Sequence, residues 1–312
     1  MPLAEKSMIA RIRRQAGVGR GVIKSIGDDC AVLRVPPGHE ALVTTDFSLE
    51  GIHFRREWHS PESVGHRCLA RGLSDIAAVG GKPIAAFLSL ALPKALPQTW
   101  VNRFVKGLTS LASQFDVTLA GGDTAQSPDG ILADIIVLGS VLRGKAVLRS
   151  GARPGDKVYV TGSLGGAASV LQDLIKSSRT RLGMTKERGR HFFPQPRIEV
   201  GQFLRQKRLA ASMIDLSDGL STDLGHICQE SGVGAELRAE FIPRNSRVSL
   251  TLALHGGEDY ELLFTSAKAI PEQIAGVAIT EIGRVTQGKN LFLVNGGKRK
   301  RLRPQGWEHF KK

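Results

Sequence analysis

Acidic residues in this chain gather at particular spots instead of running along a solvated face. Gly27-Asp28-Asp29, Thr44-Thr45-Asp46, Leu73-Ser74-Asp75, Gly121-Gly122-Asp123-Thr124 and Asp215-Leu216-Ser217-Asp218-Gly219 each set an aspartate beside Gly, Ser or Thr. Gly256-Gly257-Glu258-Asp259-Tyr260-Glu261 adds a denser acidic run. One Asp beside a Gly is an ordinary turn. Five such sites, several flanked by apolar strands, are harder to read that way, because gathered carboxylates repel until a cation neutralises them. Hard oxygen donors without convergent His or Cys point to Mg²⁺, Mn²⁺ or Ca²⁺ rather than zinc. Magnesium held by scattered carboxylates usually also holds phosphate, and the adjacent hydroxyls suit either.

Other phosphate chemistries lack their signatures. There is no G-x-x-x-x-G-K-[ST] segment and no H-R-D with D-F-G, so a P-loop or protein-kinase site is excluded. No Ser-His-Asp or Cys-His pattern suggests nucleophilic catalysis.

Alternating elements must position these acids. Ala41–Thr45, Ala85–Leu92 and Ile131–Leu138 read as strands, rich in Val, Ile, Leu and Ala. Ser60-Pro61-Glu62 opens a helix with a cap and a first-turn proline, running to about Val79 before Gly80-Gly81. A second helix runs from about Pro97 to Gln114. A seam follows at Ser150–Asp156. Beyond it come a strand, Lys157–Thr161, and the Gly-rich turn Gly162–Gly166 opening a helix to about Lys176. Ser177–Arg190 reads as a loop or irregular connection. The expected organisation is α/β (α+β) in two domains, 1–145 and 146–312.

Bulk properties agree with a globular, two-domain chain. At ~150 residues per domain, 312 residues suggest about two. No run of about 18 apolar residues is present, which excludes a membrane-spanning helix. Met1–Ala16 lacks the apolar block of a signal peptide. Three scattered cysteines, Cys30, Cys68 and Cys228, make neither a disulfide framework nor a zinc site; they fit a reducing, cytoplasmic setting. Lys plus Arg number 43 against 29 Asp plus Glu, a net +14. The basic runs Arg11–Arg14, Arg55-Arg56 and Lys298–Arg301 carry no interleaved aromatics, so neither nucleic acid nor a membrane is the expected partner. An anionic substrate suits that balance.

The motifs carry a family resemblance as an ordered set. Ile26–Val32, Thr44-Thr45-Asp46 followed by Glu50–Phe54, Leu73–Ala78, Gly121–Thr124, Asp156–Gly162, Asp215–Leu220 and Gly256–Leu263 come in sequence. Together they strongly resemble the thiamine-monophosphate kinase family, from about Met8 to Phe310. That family shares a two-domain fold with aminoimidazole ribonucleotide synthetase. The resemblance implies transfer of the ATP γ-phosphoryl group to thiamine monophosphate, with several Mg²⁺ ions. It also implies a homodimer formed through the N-terminal domain, and a C-terminal domain completing the active site. The His53 segment and the C-terminal Gly306-Trp307-Glu308-His309-Phe310 favour this family over selenophosphate synthetase-like or purine-biosynthetic relatives.

Carried over by motif, Asp29, Thr44, Thr45, Asp46, Asp75, Asp123, Asp215 and Asp218 would bind Mg²⁺. Asp28, beside the first of these, ranks lower. Gly122, Asp123, Arg149 and Ser217 would meet ATP. His53, Glu258 and Trp307 would meet the thiamine phosphate. Each has a plainer reading: His53 as a structural histidine, Arg149 as a surface arginine at the seam, Glu258 as a turn acid and Trp307 as core filler. A guanidinium can also clamp phosphates bidentately, and an indole face can stack on a flat cation.

Overall fold

The computed structural model describes residues 2–3, 5–16, 19, 21–26, 30–176, 186–308 and 310. The chain divides into two compact units. The first comprises Met1–Ile76, Gly81–Gly144 and Phe192–Pro194; the second comprises Ala77–Gly80, Lys145–His191 and Gln195–Lys312.

The N-terminal unit holds α1 (Glu5–Ala16), β1 (Val22–Lys24), β2 (Val32–Leu33), β3 (His39–Leu49), α2 (Pro61–Ala78), β4 (Lys82–Pro93), α3 (Gln98–Gln114), β5 (Thr118–Ser127) and β6 (Leu132–Leu142). Its four-stranded sheet has the order β3-β6-β4-β5. Only β4 and β5, joined through α3, run parallel; β6 inserts antiparallel between β3 and β4. Helix α2 starts where Ser60 Oγ accepts from the Ser63 N–H at 3.2 Å, as expected of a cap before proline. It ends where Gly81 N–H reaches the Ile76 carbonyl at 2.9 Å, with Gly80 at φ +69°. Val64, Cys68, Leu69, Leu73 and Ile76 line its buried face, at the spacing of one helical side.

The C-terminal unit holds β7 (Lys157–Thr161), α4 (Gly166–Lys176), α5 (Lys186–Phe192), α6 (Ile198–Gln206), β8 (Ser212–Asp215), α7 (Leu220–Ser231), β9 (Gly234–Arg238), α8 (Leu250–His255), β10 (Leu262–Ser266), β11 (Gln273–Ile274), β12 (Val277–Thr286), β13 (Leu291–Asn295) and β14 (Lys298–Arg301). Its sheet runs β14-β13-β9-β12-β7-β10-β8, with β11 paired to β12. Val158, Val160, Leu224, Ile227, Leu237, Leu263 and Ile282 build one core between this sheet and α7.

The expected strands fall within β3, β4 and β7, Ile131–Leu138 begins one residue before β6, and the expected helices coincide with α2, α3 and α4. One expectation is corrected. Residues 186–190 of the stretch read as a loop belong to α5. Basic side chains leave that helix no apolar stripe, but its end is anchored: Arg190 donates to Ser163 Oγ and His191 is buried. Residues 177–185 lie outside the described residues.

Candidate active site

In the N-terminal unit, edge strand β3 and helix α2 bring three of the predicted residues, Thr44, Asp46 and Asp75, together. Thr44 donates its hydroxyl hydrogen bond to Asp75 near the end of α2. Asp46, two residues along β3, carries a pKa raised from 3.8 to about 7. Burial is the main cause, followed by the charge of Asp75; Arg71 opposes both, and Asp134 adds a further rise. Thr45, on the other side of the pleat, donates to Asp134 Oδ1 at 2.7 Å.

Asp134 was not among the sequence candidates. It sits opposite Phe47 in the β3–β6 register. Its only sequence signal is an acid interrupting the apolar run Ile131–Leu138. Arg71 was likewise unforeseen, and it also donates to the Phe47 carbonyl. The result is two carboxylates, Asp75 and Asp134, acting on a third, Asp46, whose pKa burial also raises.

Asp123 and Gly122 lie on β5, with β4 and β6 between them and β3. They share the sheet with the cluster but do not join it. Both line a cavity of about 60 Å³, walled by Leu88, Leu90, Ile9 and Ile12. Gly122 is required there: at φ +145°, an added Cβ would lie 1.9 Å from the Leu88 carbonyl oxygen. Thr124 Oγ1, in the same lining, is buried with no hydrogen-bond partner. Such an orphan is costly unless a bound group answers it.

His53 occupies the turn after β3. Its Nδ1 accepts the Leu49 N–H at 3.0 Å, which puts the proton of the neutral ring on Nε2. Asp29 and Asp28 lie outside the described residues.

The C-terminal unit gathers most of the rest at the start of α7. Ser217 O accepts from the Glu258 N–H at 2.8 Å, and Asp218 O accepts from the Trp307 N–H at 3.1 Å. Asp215 ends β8 and is buried. Arg149 is exposed; its charge reaches Asp223, a buried acid that sequence reasoning missed. Asp223 accepts from the Asp218 and Gly219 N–H groups at 3.2 and 3.0 Å. Its pKa is raised to about 7, by burial first and by Asp218 second. In sequence it reads only as a first-turn helix acid.

Glu258 belongs to a strained loop. Glu258 and Tyr260 both hold left-handed φ values, +66° and +50°, each costing about 1–3 kcal/mol for residues of their kind. Three anchors impose this. Tyr260 N–H reaches the Leu216 carbonyl at 2.9 Å. The Asp259 carboxylate takes the Gly165 and Ala167 N–H groups at the start of α4, at 2.6 and 3.3 Å. Glu261 is buried and takes Arg197 bidentately at 2.7 and 2.6 Å, together with the Thr161 hydroxyl.

Comparison with known proteins places this arrangement. Residues 27–141 match the N-terminal domain of AIR synthase related protein, and residues 153–302 match its C-terminal domain. The thiamine-monophosphate kinase of Escherichia coli K12 is 37% identical, with 99% of each chain covered. The crystal structure of thiamine-monophosphate kinase from Stenotrophomonas maltophilia aligns with a TM-score of 0.82 at 34% identity, covering 94% of this chain and 97% of that one. AaThiL complexed with AMPPCP and TMP aligns at 0.78 and 32% identity, with 99% of each covered. Matched along its whole length and through both domains in order, the chain belongs to the thiamine-monophosphate kinase family.

Proposed function

We propose that the chain phosphorylates thiamine monophosphate with ATP. The bond from the γ-phosphorus to the bridging oxygen of ADP breaks, and a bond to an oxygen of the acceptor phosphate forms. The products are thiamine diphosphate and ADP. The observation that carries the reading is the β3–α2 cluster of Thr44, Asp46 and Asp75, with Thr45 bonded to Asp134 of β6 beside it.

Its donor set fits Mg²⁺. Burial and the charge of Asp75 push the Asp46 pKa up to about 7, and a cation bound there would offset both costs. Thr44, Thr45, Asp46, Asp75 and Asp123 are the proposed holders in the N-terminal unit, with Asp29 assigned by motif. Asp215 and Asp218 carry the same assignment in the C-terminal unit. Magnesium, when bound, supplies charge neutralisation and phosphate bridging.

The chain's own residues do the rest. The acceptor phosphate is already anionic near neutral pH, so no side chain is assigned as general base. The Nε2–H of His53 suits donation to that phosphate. Arg149 is assigned to the nucleotide phosphates, with Ser217, Gly122 and Asp123 as further contacts. Trp307, 56% exposed, offers an indole face to the thiamine rings, and Glu258 offers a carboxylate to their positive charge.

A homodimer and a cytoplasmic setting belong to the same reading. Val43 and Phe47 are 67% and 55% exposed on β3, an apolar patch of the kind a partner covers. The described cysteines are all free, which suits a reducing compartment, and no described helix is long and apolar enough to cross a membrane. The test is incubation with ATP, Mg²⁺ and thiamine monophosphate, followed by mass spectrometry of the products. ADP release that does not depend on thiamine monophosphate would overturn the assignment in favour of another ATP-dependent member of the superfamily.

A further inference from the structure

We propose that the C-terminal unit carries a second ligand site, for a small phosphorylated molecule with an uncharged organic body, along the C-terminal half of α7. The site is a partly open cavity of about 370 Å³, within the range of roughly 300–1,000 Å³ that small-molecule sites occupy. Cys228, Val233, Leu291 and Leu302 give it an apolar floor, and Lys289, Arg301 and Arg303 stand around it. No acidic residue lines it.

Those three cations are what call for a ligand. Several cations elsewhere on this unit are matched. Arg284 and Arg299 share Glu236 at 3.2 and 2.7 Å, Lys157 meets Glu281 at 2.8 Å, and Arg299 also lies 3.3 Å over the Phe292 ring. Among the described residues, Lys289, Arg301 and Arg303 have no carboxylate partner. Like charges brought to one rim repel, and an anion there relieves them. Edge-strand protection explains lysines and arginines within β14. It does not explain Lys289, in the turn before β13, or Arg303, beyond the end of β14.

The two halves of the cavity specify the ligand. A phosphate group suits the cationic rim, where each guanidinium can bind two of its oxygens. The apolar floor takes a flat or aliphatic body; a second fixed positive charge would be repelled, so thiamine itself fits poorly. The proposed nucleotide contact Ser217 lies beyond the other end of α7. The cavity's lining on that helix runs from Gly225 to Gln229, and Ser217 is not part of it.

The experiment uses the full chain with Mg²⁺ and a saturating non-hydrolysable ATP analogue, titrated with naphthyl phosphate and followed by naphthyl fluorescence. The expected result is one saturable site with Kd below about 1 mM. Binding should be tighter than that of inorganic phosphate, and weaker at high salt. In the Lys289→Ala/Arg303→Ala variant, whose melting curve and turnover should match the parent's, affinity should fall at least about tenfold. Absence of saturable binding, or equal binding by the variant, overturns the proposal. Equal affinity for inorganic phosphate removes the organic body from the ligand class. Capture of a single-stranded oligonucleotide without naphthyl phosphate binding overturns it in favour of a nucleic-acid surface.

Discussion

Thr44 of β3 donates its hydroxyl hydrogen bond to Asp75 of α2, so an edge strand and the helix covering it are tied beside the half-buried Asp46. The Asp75 charge then raises the pKa of Asp46, in addition to the larger effect of burial. Asp46 is thereby primed to exchange a proton for a metal.

Asp46→Asn and Asp75→Asn should each lower kcat by at least about a hundredfold, since a metal contributes several kcal/mol to such a transition state. An amide keeps the shape and some hydrogen bonding but is a poorer ligand. Circular dichroism should show the fold intact in both. Wild-type turnover in either folded variant would remove the metal assignment.

Proton and metal should compete at Asp46, which gives stability a defined pH dependence. Its pKa rises from 3.8 in the unfolded chain to about 7 when folded. The folded state therefore binds more protons between those values, and this group's contribution to stability falls as pH rises from about 4 to about 7. Mg²⁺ binds the ionised form, so its stabilising effect should grow across the same window. Melting curves at pH 5 and pH 8, with and without Mg²⁺, should give the larger rise in Tm at pH 8. Equal shifts at both would exclude Asp46 as a ligand.

Local chemistry was the part of this molecule most legible in the sequence. The apolar composition of Ala41–Thr45 and the Ser60-Pro61 start placed β3 and α2, and the Thr-Thr-Asp and Ser-Asp motifs marked what they bring together. Residues joined only by tertiary pairing were invisible. Asp134 looks like a defect in an apolar strand until β6 is seen beside β3. Arg197 and Glu261 lie far apart in sequence, and nothing near either one announces the other. Helix α5 was missed for a related reason: its anchor at Ser163 is tertiary, and its own residues carry no helical stripe.

Trp307→Ala should separate the two substrates. A triphosphate can be held by carboxylate-bound metal and Arg149 without an aromatic wall. The thiamine rings carry a fixed positive charge, and an indole face attracts such a cation by about 0.5–2 kcal/mol. KM for thiamine monophosphate should rise about 2- to 30-fold, with KM for ATP moving far less. A tryptophan that merely pins the chain end would lower Tm and leave both KM values alone.

The Arg197–Glu261 pair should prove to hold the strained loop that carries Glu258. Side-chain exposures of 17% and 2% put it largely out of water, where breaking one partner costs about 3–5 kcal/mol because the other charge is left unanswered. Arg197→Met should therefore lower the denaturation midpoint sharply. Adding Glu261→Gln removes the stranded charge while keeping an acceptor for the Thr161 hydroxyl, so the double variant should recover part of that loss. Activity tells a positioning role from a purely structural one. With the anchor gone, the left-handed residues Glu258 and Tyr260 can relax, and KM for thiamine monophosphate should rise while KM for ATP holds. Arg197→Lys restores the charge but not the bidentate geometry, and should fall between the parent and Arg197→Met in both midpoint and KM. Loss of stability with both KM values unchanged would leave the pair a structural strut and remove its link to the substrate.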